Sequence, residues 1–250
     1  MHLLTLLGVN AVPAVGWFVG DWSAGTTLVV YWFQNVAGSL SIAVLIAAHR
    51  RLSPRRGHFR YQPPDQRRSQ RSSFIAGFLV TSMAFCAAHG IFLGVILFLL
   101  NHNGDRGLAV VDWRRVATGC LIVLVFLVAD LAVDLTRVRR WSFLQVEQTA
   151  HRSIGRIVVV HLTLVLGMFG AVMTDASALF GVFVVLKTLH ALSTALPQWE
   201  PATPPAWLSR AMNRLPNVHP GKRFEEVWAK DRADEAERRE RNEEPWTARR

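Results

Sequence analysis

The sequence predicts an all-α fold, a six-span transmembrane helical bundle with a cytoplasmic helical tail, on three observations. Apolar residues make up 51% of the 250 and charged residues only 18%. From Leu3 to Leu196 the apolar residues gather in runs of about 18 to 25, the length that crosses a hydrocarbon layer of ~30 Å at ~1.5 Å per residue. Lys and Arg concentrate in alternate connections between those runs.

The runs are Leu3 to Val19, Gly25 to Ala48, Phe74 to Leu100, Val116 to Leu135, Ile157 to Thr174 and Ser177 to Leu196. The first begins "MHLLTLL", without the Lys/Arg region of a secretory signal and with no clear small-x-small site after it, so it reads as a span kinked at Pro13. The connection His49 to Ser72 holds eight arginines, and the one between the fourth and fifth runs adds Arg137, Arg139, Arg140, Arg152 and Arg156. The links "GDWSA" and "TDAS" have neither Lys nor Arg. By the positive-inside rule both termini are cytoplasmic, in the cell membrane, and six spans bring them to the same side. The net charge of +10 is then explained by orientation and by anionic headgroups rather than nucleic acid. Cys86 and Cys120 fall inside spans and form no CxxC, so they read as small apolar fillers.

Residues 1–196 form the bundle. Pro197 to Pro220, with six prolines and Trp199 and Trp207 among them, is an extended linker at the interface. Residues 221–250 form a charged tail helix, with Glu226 before Lys230, Asp234 before Arg238 and Glu235 before Arg239 at helical spacing. Too few apolar residues remain for it to bury a face, so it reads as solvated or as a docking site for a cytoplasmic protein partner.

Polar residues inside the spans carry the functional expectation, because an unsatisfied polar group in hydrocarbon costs several kcal/mol. Tyr31, Gln34, Asn35 and Gly38 share one face of the second span. In the third, Ser82, Cys86 and His89 do the same, and Gly90 with Gly94 makes a small-xxx-small pair for close helix approach. Gln34 and His89 each lie about 15 Å deep, so they can meet. A second layer, nearer the cytoplasm, holds His161, Asp130, Asp134, Lys187 and His190, with an Asp130–Lys187 ion pair as the economical neutralisation.

For each residue the plain alternative is interhelical glue, a hydrogen-bonded core histidine or a snorkelling lysine. Three histidines on three spans, His89, His161 and His190, nevertheless suit a metal, haem or quinone site, though no HExxH or CxxCH motif accompanies them. A small carrier of protons or solute, which six spans favour only as a homo-oligomer, is the rival reading. A structural or partner-recruiting protein is the third. No nucleophile beside a base and no phosphate-binding loop is found, which disfavours hydrolase and kinase chemistry.

The stretches "LVVYWFQNVAGS", "FCAAHGIFLGVI", "GRIVVVHLTLVLGMF" and "VFVVLKTLHAL" resemble, in order, a family of polytopic prokaryotic membrane proteins known as a domain of unknown function. The resemblance implies the architecture and the same polar positions but no reaction. It also implies a glutamate where this chain has Gln34 and a histidine near Asp130, so any chemistry that needed that carboxylate's charge is altered here.

Overall fold

The computed structural model describes residues 3–63, 73–102, 106–171, 201–215 and 221–247, and every described element is helical apart from one isolated β-bridge. The chain divides into two compact units: residues 1–53 with 75–196, and residues 54–74 with 197–250.

In the first unit the helices are α1 (Leu3–Phe18), α2 (Ala24–Leu52), α4 (Phe74–His102), the short α5 (Arg106–Ala109), α6 (Trp113–Arg137) and α7 (Phe143–Ala171); a 3₁₀ turn, Val138–Arg140, joins the last two. α3 (Arg56–Phe59) belongs to the second unit. Three of these helices, Ala24–Leu52, Phe74–Leu99 and Trp113–Arg140, are long and apolar enough to cross a membrane. At sixteen residues α1 is shorter than the ~20 a perpendicular crossing takes. Pro13 sits inside it without ending it.

Two of the long helices, α2 and α6, start where the sequence supplies an acceptor for their orphan amides. Ser23 caps α2, its Oγ accepting from the Thr26 amide at 3.1 Å. Asp112 caps α6 through the amides of Arg114 and Arg115, at 3.0 and 3.1 Å. The two caps lie at one end of the bundle: the Asp112 amide donates to Thr26 Oγ1 at 3.0 Å, and Arg115 reaches back to the carbonyls of Gly20 and Asp21.

α2 is the central helix. It runs parallel to α6, with Val30 beside Gly119 at one end and Gly38 to Leu45 level with Leu127 to Asp134 further along. α4 runs the other way: Leu97 lies against Gly25, Leu93 against Leu28 and Tyr31, and Gly90 under Trp32. α7 is also antiparallel to α2, with Arg156 over Gly38 and Trp141 beside His49. α1 packs against α6 with Gly8 on the Phe126 ring, and Val9 joins Val30, Val123 and Leu127 in one apolar cluster. Successive long helices therefore alternate in direction.

The buried residues of α6 are Val116, Gly119, Val123, Leu127, Asp130 and Asp134, spaced by three and four, which is one stripe of a 3.6-residue helix. Its opposite face exposes Leu121, Ile122, Leu124, Val125, Val128, Val133 and Leu135. Carboxylates inside and aliphatics outside invert the order of a water-soluble helix. A protein in water does not expose so continuous an apolar surface, whereas lipid solvates it at no cost.

In the second unit the tail does not stand alone. The helix Phe224–Glu243 packs on α3, and a backbone bridge joins Arg55 to Pro245. The Arg56 amide donates to the Glu244 carbonyl at 2.8 Å, and the Trp246 amide to the Pro54 carbonyl at 3.1 Å. Gln62 binds Arg238, Arg241 and Asn242 at 2.9–3.3 Å. Phe59 stacks on Trp246 with centroids 4.7 Å apart. Polar side chains, Arg238 at 5% and Asn242 at 2% exposure, do the packing that the scarcity of apolar residues appeared to forbid.

Candidate functional site

Two polar layers occur along α2. The first holds Tyr31, Gln34 and Asn35, each 1% exposed, and fully buried His89 on α4. The register brings His89 to the level of Asn35: the Cys86 thiol lies in hydrogen-bond reach of Ser39, and the Trp32 indole donates to the Cys86 carbonyl at 2.9 Å. A Cβ on Gly90 would stand 2.9 Å from Trp32 Nε1, so glycine is what lets α4 close on the indole there. A Cβ on Gly94 would meet no described residue within 4 Å, so only one half of the small-residue pair serves this packing. Ser39 Oγ returns to the Asn35 carbonyl at 2.8 Å, while the Asn35 side-chain amide has no hydrogen-bond partner among the described residues.

The second layer is a cleft of about 30 Å³ lined by Gly38, Ser41, Ile42 and Leu45 of α2, Leu127, Asp130, Leu131 and Asp134 of α6, and Arg156 of α7. A water needs ~10–15 Å³ of such space, so the cleft has room for two or three waters or one small ion with part of its hydration. Asp130 and Asp134 are four residues apart and share the inner stripe of α6. Arg156, 9% exposed, interacts electrostatically with Asp130, and its Nη2 lies 3.2 Å from where a Gly38 Cβ would be. Glycine at 38 is thus the notch in α2 that admits a guanidinium. Two carboxylates and a guanidinium that keeps its charge line this one cleft.

The structure places Arg156, a residue read from sequence only as an orienting charge, beside Asp130; the expected partner Lys187 lies outside the described residues. Asp134, read with Asp130 in the second polar layer, lines the same cleft. Lys187 and His190, and the side chain of His161, lie outside the described residues, so the three-histidine arrangement has one described member, His89. Among the described residues no group of three His, Cys, Asp or Glu is placed to hold a metal. Sequence reasoning also passed over His49, fully buried at the end of α2 with Nε2 3.0 Å from the Trp141 carbonyl, and Glu147, 2% exposed on α7. The signal for Arg156 was available in Gly38, a glycine on the polar face of α2 that no turn requires.

No curated protein and no solved structure matches the chain. One family model does, over residues 1–206, and the chain belongs to that family, described as a family of unknown function (DUF6498).

Proposed function

We propose that this member of an uncharacterised family is a six-span integral protein of the cell membrane with both termini cytoplasmic, and that its working site is the Asp130–Asp134–Arg156 cleft. There it takes up and releases one proton or one small monovalent cation on a carrier path. The observation that supports this is the burial of two carboxylates and one guanidinium on helices whose other faces present aliphatic side chains. Charges at such positions are costly and persist where they serve transport or are fully compensated.

Chain topology supports the six spans. Hydrogen bonds join residues 54–62 to 238–246, so the loop after α2 and the tail share a side and an even number of crossings separates them. The alternating helix directions agree. In the cycle, Arg156 holds its charge beside Asp130 and Asp134, and the two carboxylates supply the oxygens that a proton or small cation would bind in a cleft with room for two or three waters. Loading one carboxylate makes the cleft less negative and lowers the cost of moving past the apolar layer.

The test is proton and monovalent-cation flux into proteoliposomes loaded with a pH-sensitive dye. Asp130→Asn is expected to reduce flux at least tenfold. Wild-type protein no faster than protein-free liposomes would overturn the reading.

A second reading, an intramembrane ligand at Tyr31, Gln34, Asn35 and His89, is supported by the unsatisfied Asn35 amide. A quinone carbonyl suits that amide's donor, and a haem or metal would use His89. Elemental analysis and the absorbance spectrum of purified protein test it; absence of metal, Soret band and quinone would sink it.

A further inference from the structure

We propose that the end of the bundle carrying Arg51, Arg137, Arg139, Arg140 and Arg152 is a binding site for the phosphate headgroup of an anionic phospholipid. These five arginines are exposed at the close of α2, at the α6–α7 corner and on the first turns of α7, and none has an ion-pair partner among the described residues. Most other described arginines are engaged. Arg55, Arg56, Arg238, Arg239 and Arg241 pair with Glu243, Glu244, Glu235 and Glu237, and Arg115 pairs with Asp112. At the opposite end of the bundle, Arg114 is the one exposed arginine in a similar state among the described residues.

The five are gathered by structure rather than by sequence. His49 meets the Trp141 carbonyl at 3.0 Å, which ties the last turns of α2, bearing Arg51, to the corner that bears Arg139 and Arg140. The carboxylate closest in sequence to this corner on α7, Glu147, is buried, so it leaves the rim positive. Below the arginines the surface turns apolar: Val44, Val133, Leu135 and Val128 are all exposed. A free phosphate would use only the rim. A phospholipid uses the rim and the aliphatic face together, and that continuity is why a lipid is the occupant.

The probe is phosphatidylglycerol added to the detergent-purified full chain, with phosphatidylcholine as the neutral comparison, read by native mass spectrometry as bound lipid per chain. Wild type should hold phosphatidylglycerol over phosphatidylcholine, with the preference falling as salt rises. Each arginine near an anionic surface contributes ~1 kcal/mol, about fivefold, so Arg139→Gln with Arg140→Gln should lower phosphatidylglycerol binding by about 25-fold. Arg114→Gln should leave it unchanged. Replacing Arg139 and Arg140 by Lys keeps the charge and should retain most of the binding, and Arg51→Gln with Arg152→Gln repeats the test where the corner variant does not fold. Equal retention of the two lipids by wild type, or equal loss in the Arg114 variant, overturns the proposal. Displacement of the lipid by millimolar inorganic phosphate would also overturn it, showing that the rim alone carries recognition.

Discussion

Arg156 reaches into a notch that exists because residue 38 lacks a side chain, and two aspartates from another helix complete its surroundings. Removing one partner from such a set leaves the rest buried and uncompensated, a loss of ~3–5 kcal/mol. Arg156→Gln should therefore lower the thermal unfolding midpoint in detergent sharply. Adding Asp130→Asn to it should recover part of the loss, and strictly additive losses in the cycle would show that the two are uncoupled. The layer at Gln34 and Asn35 was legible as polar residues at helical spacing in an apolar run, as was the burial of Asp130. Arg156 was not, because a positive charge at a span boundary has a sufficient explanation in orientation, and sequence does not reveal which way a long side chain points.

At the scale of helices, what was legible was periodicity: Tyr31, Gln34, Asn35 and Gly38, read as one face of a span, are all buried on α2. What was not legible was the use of particular glycines. Gly90→Leu should push Trp32 off the Cys86 carbonyl and part α4 from α2, an overpacking cost of ~1–3 kcal/mol, whereas Gly94→Leu meets no described neighbour and should cost little. Thermal unfolding of the two variants side by side checks this. The packing of the predicted tail helix escaped the sequence for a related reason. Its interface is built from Arg238, Asn242 and Gln62, so no hydrophobic stripe announces it. Glu235 accepts from Arg238 and Arg239 at 2.6–2.8 Å, and chiefly the Arg238 bonds lower its pKa to about 2 against a partial burial that opposes them. A carboxylate lowered on folding stabilises above its ordinary value and loses that contribution as pH falls. The protection of residues 235–246 against hydrogen exchange, taken relative to the unfolded chain at each pH, should accordingly fall between about pH 4.5 and about pH 2, and protection flat across that range would refute the assignment.

For the molecule as a whole, one apolar helical unit and one charged unit divide the chain by solvent, and the charged one is assembled from segments nearly two hundred residues apart in sequence. Trp246→Ala removes the ring on which Phe59 stacks and over which Arg60 lies. Trypsin should then cut faster at Arg55, Arg56 and Arg60, with the helical unit's unfolding midpoint unchanged; cleavage at the wild-type rate would mean that the stack contributes nothing to closure.

The pairing of Arg55 and Arg56 with Glu243 and Glu244 also orders events in time. A ribosome delivers the arginines nearly two hundred residues before their carboxylate partners. In that interval the loop shows its full positive charge, and the later glutamates cancel part of it. The clasp therefore closes only after the helices between its two halves have been made, so replacing Glu243 and Glu244 by Gln should undo the clasp and leave those helices as they were.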